Sequence, residues 1–204
     1  MTVSTQIRPA RPDDAPLAAA AFRLSMNGMT EHLFGVNGHR TEIALMRLFS
    51  RNAGRFGYGV ASVAEWYQRP LGMLVAFPGA DVNRLGFAVA KYLPFALGWN
   101  LFGFVLRSLA YTNIKEAEAD EYLVSNLAVL PAAQGQGLGS HLLDYADEQA
   151  RARGFAKVAL LVSPDNAAAL RLYEKHGYKI VETKHDKNPF ASYHRMLKKL
   201  NIGN

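Results

Sequence analysis

Residues Glu121–Arg153 read, without interruption, as a strand, a glycine-rich turn and a helix. In the helical part, about Gly137–Arg153, Leu138, Leu142, Ala146 and Ala150 recur every four residues, an apolar stripe fit to lie on a sheet. A strand that feeds a helix packed beside it belongs in a layered α/β domain. Between the two stand Gln134-Gly135-Gln136-Gly137-Leu138-Gly139. Glycine costs backbone entropy, so glycines at alternate positions of a helix mouth mark a place that wants bare backbone. N–H groups at a helix start lack intrahelical acceptors and carry partial positive charge, which suits a phosphate or pyrophosphate. Two nucleotide motifs fail here. Counted from Gly135, the sixth position is Ser140 where a dinucleotide fingerprint needs glycine, and no lysine lies between Gly135 and Ser140 for a P-loop. On these residues alone, an anion-holding turn and a tight turn with no ligand both stand.

Strands and helices alternate along the rest of the chain. Ser4–Ala10 reads as a short strand, followed by a helix capped at Asp13 or Asp14 with Pro16 in its first turn. Arg40–Asn52 reads as a second helix with Ile43, Leu45, Met46, Leu48 and Phe49 on an apolar side. "GVASVAEWY" and "LGMLVAFPG", separated by "QRP", predict a hairpin. Lys157–Val162 predicts a strand, Asn166–His176 a helix, and "YKIVETK" and "SYHRMLKKL" terminal strands. The alternation predicts a mixed α/β sheet in one domain over 1–204. The segment Ala80–Ala119 is apolar and broken by Pro94 and Gly98; it reads as an insertion of one or two helices. Its run Tyr92–Leu106 is shorter than the roughly 20 residues of a membrane span, so a buried or lid-like helix is expected and no membrane partner.

Composition narrows the classes. Half the residues are hydrophobic and a fifth charged, as in a soluble globular domain, and without cysteine there is neither a disulfide framework nor a thiolate metal site. The first residues hold no signal-type apolar core, so a cytoplasmic address is expected. The net charge of +6 is not gathered into a basic block interleaved with aromatics, so no nucleic-acid partner is expected.

A second motif follows one strand later. In "SPDNAAALRLYEKHGYKIV" (Ser163–Val181), Pro164 with Asp165 or Asn166 starts a helix and Gly177 ends it as a left-handed cap. With Leu127–Pro131 and Gln134–Gly139, the set Asn166-x-x-Ala169-x-x-Leu172-Tyr173-x-x-x-Gly177-Tyr178 makes the chain resemble a GNAT-type N-acetyltransferase, of the acyl-CoA N-acyltransferase fold. The first set fits that family's acetyl-CoA signature, Gln/Arg-x-x-Gly-x-Gly/Ala, and the second its later motif. The resemblance is close over Glu121–Val181 and looser over Ile7–Phe22 and Val60–Phe77; Ala80–Ala119 is longer than the family's core needs.

The resemblance implies a mostly antiparallel central sheet of about seven strands, flanked by helices, whose central strands splay apart. It implies acetyl transfer from acetyl-CoA, the co-substrate, to a primary amine of a small molecule or peptide by direct attack on the thioester, with no metal. Backbone groups at Leu127 and Val129 would pair with the pantetheine, and the stretch Gln134, Gly135, Gln136, Gly137, Leu138, Gly139 and Ser140 would hold the pyrophosphate. Asn166 would hydrogen-bond the cofactor arm. Tyr173 is the candidate general acid, since a phenol near 10 stays protonated at neutral pH and can donate to a leaving thiolate. Where some members carry a base on the strand, this chain has Leu123; Glu121, two residues away on the same strand face, is the candidate base. The alternative function is a module that binds acyl-CoA without turnover. The acceptor side would fall to Phe22–Asn52 and Ala80–Ala119. Their aromatics and methionines (Phe34, Met46, Phe87, Tyr92, Phe95, Trp99, Phe102, Phe104) are expected mainly in the core, with the insertion offering a homodimer face.

Overall fold

Seven strands form one sheet in the computed structural model, which describes residues 5–35, 38–111 and 114–201. They are β1 (Gln6–Pro9), β2 (Ala61–Trp66), β3 (Arg69–Pro78), β4 (Tyr122–Val129), β5 (Lys157–Val162), β6 (Lys179–Lys184) and β7 (Tyr193–Lys199). The spatial order is β1-β2-β3-β4-β5-β7-β6, and only β4 and β5 run parallel. The mixed, mostly antiparallel sheet is therefore as the sequence indicates, and its one parallel pair is joined by a helical crossover, as parallel strands require.

Period-two alternation sends side chains to two cores. Val63, Met73, Val75, Phe77 and Leu123 face helices α1 (Ala15–Ser25), α2 (Met29–Phe34) and α3 (Gly38–Ser50). Leu74, Tyr122, Val124, Val158 and Leu160 face α7 (Leu138–Ala152) and α8 (Ala167–Lys175). The stripe read from sequence, Leu138, Leu142, Ala146 and Ala150, is fully buried on that second face. Of the predicted first strand, Ser4 lies outside the described residues.

Two local expectations change. The hairpin turn is Tyr67–Gln68, both left-handed (φ 51° and 61°), and Arg69 and Pro70 begin β3 instead of the loop. Proline, lacking an N–H, is tolerated there because the ladder is already irregular, with a bulge between Ala64 and Glu65.

The insertion holds three helices, α4 (Val82–Ala90), α5 (Leu93–Leu97) and α6 (Leu101–Ser108). Thr112 and Asn113 of the predicted segment lie outside the described residues. Pro94 sits in the first turn of α5, where its missing N–H has no partner to lose, and Gly98 at φ +52° separates α5 from α6. Leu85, Val89, Leu93, Ala96 and Leu97 join the first core. Phe34 is buried, and Met46, Tyr92 and Phe104 pack against that core. Phe87, Phe95, Trp99 and Phe102 do not: Trp99 is fully exposed, Phe87 80% and Phe102 74%. Short helices lying on a domain offer it one side only, so of the buried or lid-like helix expected, the buried alternative does not hold for the outer side.

Candidate active site

The parallel pair is incomplete. β4 and β5 pair at Tyr122↔Val158, Leu123↔Ala159 and Val124↔Leu160, and no further. β4 continues against β3 as far as Gly72↔Val129, and β5 continues against β7 to Val162↔His194. The strands thus part after Val124, where the β3–β4 register also shifts and leaves Ser125 as the extra residue of a bulge. The Leu130 N–H donates to the Leu71 carbonyl (2.8 Å), which fixes the alternation: Ala128 and Asn126 bond β3, while the backbone groups of Leu127 and Val129 face the gap.

The glycine turn stands at the end of that gap. Gly135 (φ +76°) and Gly137 (φ +84°) are left-handed, and a Cβ on either would point into open space. Gly137 is the N-cap of α7 and no side chain caps the helix; the first backbone bond into it is from the His141 N–H to the Gly137 carbonyl (3.1 Å). The N–H groups of Leu138, Gly139 and Ser140 therefore lack intrahelical acceptors. Gly139 has a different reason to be bare: a Cβ would stand 3.1 Å from Leu172 of α8. The side chains of Gln134 and Gln136 brace the turn, donating to the carbonyls of Val129 (3.0 Å) and Ala132 (3.3 Å). Uncapped amides, open space above two glycines and gap-facing strand backbone fit a pyrophosphate and the extended arm attached to it.

On α8, Asn166 is the N-cap; its Oδ1 accepts from the Ala169 N–H (3.1 Å), which leaves its amide NH₂ for another partner. Tyr173 is buried in the second core, which also holds Leu138 and Val162 and against which Leu127, Val129 and Leu172 pack. Burial pushes its phenol up to about 12. Its ring lies 5.9 Å from that of Tyr178, whose phenol burial also raises.

Glu121, the candidate base, stands apart from the gap. It is buried, ion-paired with Arg195 of β7, and its carboxylate accepts from the Glu118 N–H (2.7 Å). It precedes Tyr122, at the end where β4 and β5 are zipped, about 20 Å along the strand from Leu127 at 3.3 Å per residue. A carboxylate paired with an arginine at the closed end is placed to tie β4 to β7.

The sequence reading missed a polar chain on the opposite side of β4. Arg55 grips Glu116 with two hydrogen bonds (2.7 and 2.6 Å) and also donates to Ser125 Oγ (3.0 Å). Ser125 donates to Asn126 (3.1 Å), and Asn126 to Ser25 at the end of α1 (3.0 Å). Burial would raise the Glu116 carboxyl, but the Arg55 guanidinium outweighs it and holds it below the usual range. A tandem of bulge and polar chain at the point where the strands part is suited to receive a polar group entering the gap.

The model of the acetyltransferase (GNAT) family matches residues 41–178. The chain belongs to that family. The GNAT fold is also shared by the N-acetyltransferase of Staphylococcus aureus Mu50, which superposes with a TM-score of 0.76 over 94% of this chain and 99% of that one at 22% identity. Among curated relatives, the ribosomal protein bS18-alanine N-acetyltransferase of Escherichia coli K12 is 35% identical over 103 residues, half of this chain and 66% of that protein. The GCN5-related N-acetyltransferase 6, chloroplastic, of Arabidopsis thaliana is 34% identical over 90 residues, 44% of this chain and 31% of that protein. The match thus spans less than two-thirds of either relative's length.

Leu127 and Val129 border the gap, Gln134–Ser140 follow it into the mouth of α7, and Tyr173 lies in the core against which Leu127 and Val129 pack, whereas Glu121 stands at the far end of β4. Arg55 and Glu116, sixty-one residues apart in sequence, carry no spacing that would have announced them.

Proposed function

We propose that this GNAT domain transfers the acetyl group of acetyl-CoA to a primary amine of a small molecule or peptide. The observation that carries the reading is the gap: β4 beyond Val124 has an edge that β5 does not cover, and that edge leads to an uncapped helix mouth. An extended arm adds to an open strand edge through backbone hydrogen bonds, so Leu127 and Val129 hold it as a further strand would. Gly135 to Ser140 offer amides to the diphosphate, and the Asn166 NH₂ donates to the arm.

The amine nitrogen attacks the thioester carbonyl, the C–S bond breaks, and sulfur leaves with the electron pair. Tyr173 meets that developing charge. A phenol near 12 does not hand its proton wholly to a thiolate whose reference value is about 8.5. It donates a hydrogen bond as the charge appears, which makes Tyr173 an electrostatic stabiliser more than a proton source. The amine loses its own proton to water; Ser125 and Asn126 line the point where it enters.

The relative from E. coli is named for an alanine acceptor on a ribosomal protein, so a peptide with an N-terminal alanine belongs in any acceptor panel beside small amines. Acetyl-CoA at a hundred times its Kd raises stability by about 2.7 kcal/mol, visible in a thermal melt. The panel is then read by free CoA thiol. Stabilisation without thiol release from any amine would identify an acyl-CoA-binding module; no stabilisation at all would remove the cofactor site.

A further inference from the structure

We propose that the helical insertion seats this domain on the surface of an anionic lipid bilayer. This goes beyond acetyl transfer and does not depend on it. The stretch from α4 to Leu109 turns Phe87, Phe95, Trp99, Phe102, Leu106 and Leu109 to the outside, each at least half exposed. Large apolar patches on an isolated chain mark an interaction surface. The occupant is indicated by charge. From Val82 to Tyr111 the sequence has no acidic residue. Beside this segment α3 presents Arg40 and Arg47, and Arg51 follows at its end, all exposed. Arg40 and Arg47 line a cleft of about 570 Å³ with Phe95 and Trp99, and the Arg47 and Arg51 guanidiniums lie 5.4 and 4.0 Å from the Phe95 ring centre. Lys91 stands exposed between α4 and α5.

Aromatic and aliphatic side chains beside cations match a bilayer interface, where rings enter the acyl boundary while arginine and lysine meet phosphate headgroups. A second copy of this chain fits less well, because a two-fold contact would set these cations against their own counterparts with no carboxylate in the segment to receive them. Crossing the bilayer is a different matter. Leu93–Tyr111 is long and apolar enough by composition, but Gly98 breaks it, and Leu93, Ala96 and Leu97 are held in the domain core. The segment lies on the membrane.

Flotation of the full chain with vesicles tests the proposal. Binding is expected to mixed phosphatidylcholine–phosphatidylglycerol vesicles, far less to phosphatidylcholine alone, and is expected to weaken as salt rises. Trp66→Phe leaves Trp99 as the sole tryptophan, and its emission should shift to the blue on binding. Trp99→Ser with Phe102→Ser alters exposed residues, so it should melt like the parent yet bind roughly tenfold more weakly. Arg47→Glu with Arg51→Glu should erase the preference for anionic vesicles. No flotation with either vesicle overturns the proposal. So does equal flotation with both, and so does a concentration-dependent dimer that the Trp99/Phe102 variant abolishes while vesicles stay bare.

Discussion

Tyr173 and Glu121 show how the same side-chain chemistry is turned to different ends by what surrounds it. Burial alone raises the Tyr173 phenol, so it is a neutral donor across the physiological range. Tyr173→Phe keeps the ring's packing and removes only the hydroxyl. Turnover should fall by about a hundredfold, the lower range for losing one hydrogen-bond donor to a developing charge, while the stabilisation by acetyl-CoA persists. Thiol-release kinetics beside a thermal melt separate the two, and unchanged turnover would release Tyr173 from the mechanism. Glu121, by contrast, is bound by Arg195, whose Nε is among the buried atoms with no partner in the described residues. Glu121→Ala leaves a guanidinium buried without its counter-charge and should lower stability by about 3 kcal/mol in urea titration. A variant with parental stability and no activity would return Glu121 to the role of base.

At the scale of elements, the mouth of α7 shows why glycine recurs. Gly137 holds a left-handed φ with open space where a Cβ would go. Gly137→Ala should therefore cost about 1 kcal/mol through backbone strain alone, without any clash. It also plants a methyl group where the diphosphate would approach, so the melting shift given by acetyl-CoA should shrink by more than the stability loss explains. A full-sized shift in Gly137→Ala would mean that the anion lies elsewhere. This turn, the Asn166 cap and the Gly177 end of α8 were legible in sequence because each is set by chemistry within a few residues. So were the strands and the stripe of α7, which follow period. What stayed hidden depends on distant partners. Arg195 lies seventy-four residues from Glu121, and Arg55 sixty-one from Glu116, and no periodicity marks such pairs. Pro70 is accommodated in β3 beside a bulge that leaves Leu71 as the extra residue, which proline's own preference for loops does not announce. In the insertion, composition showed apolar residues but not which side the domain would cover, so Trp99 read as core.

Across the whole molecule, partly buried arginine–carboxylate pairs tie together segments that the sheet alone does not. Arg8 on β1 donates twice to Asp14 at the start of α1 (2.8 Å each) and once to Glu65 on β2 (2.7 Å), while the Arg11 N–H adds a third bond to Asp14 (2.7 Å). Arg55 and Glu116 link the segment after α3 to the one before β4. Burial pushes both carboxyls up, but their arginines outweigh it and leave Asp14 and Glu116 below their ordinary values. A folded value below the unfolded one means the carboxylate stabilises the fold fully above the unfolded value, about 4 for both, and loses that contribution as pH falls through the folded value. The urea midpoint should hence be flat from neutral pH to about 5 and drop steeply below about 4. Asp14→Asn should flatten part of that drop while lowering the neutral plateau. Glu116→Gln should do the same and, because Arg55 also holds Ser125 at the bulge where the strands part, should weaken turnover at neutral pH more than Asp14→Asn does. Equal effects of the two variants on turnover would make the Arg55–Glu116 pair a tie like the other, with no bearing on the gap; a larger effect for Glu116 places the bulge under the control of a charge pair that the strand order alone would never require.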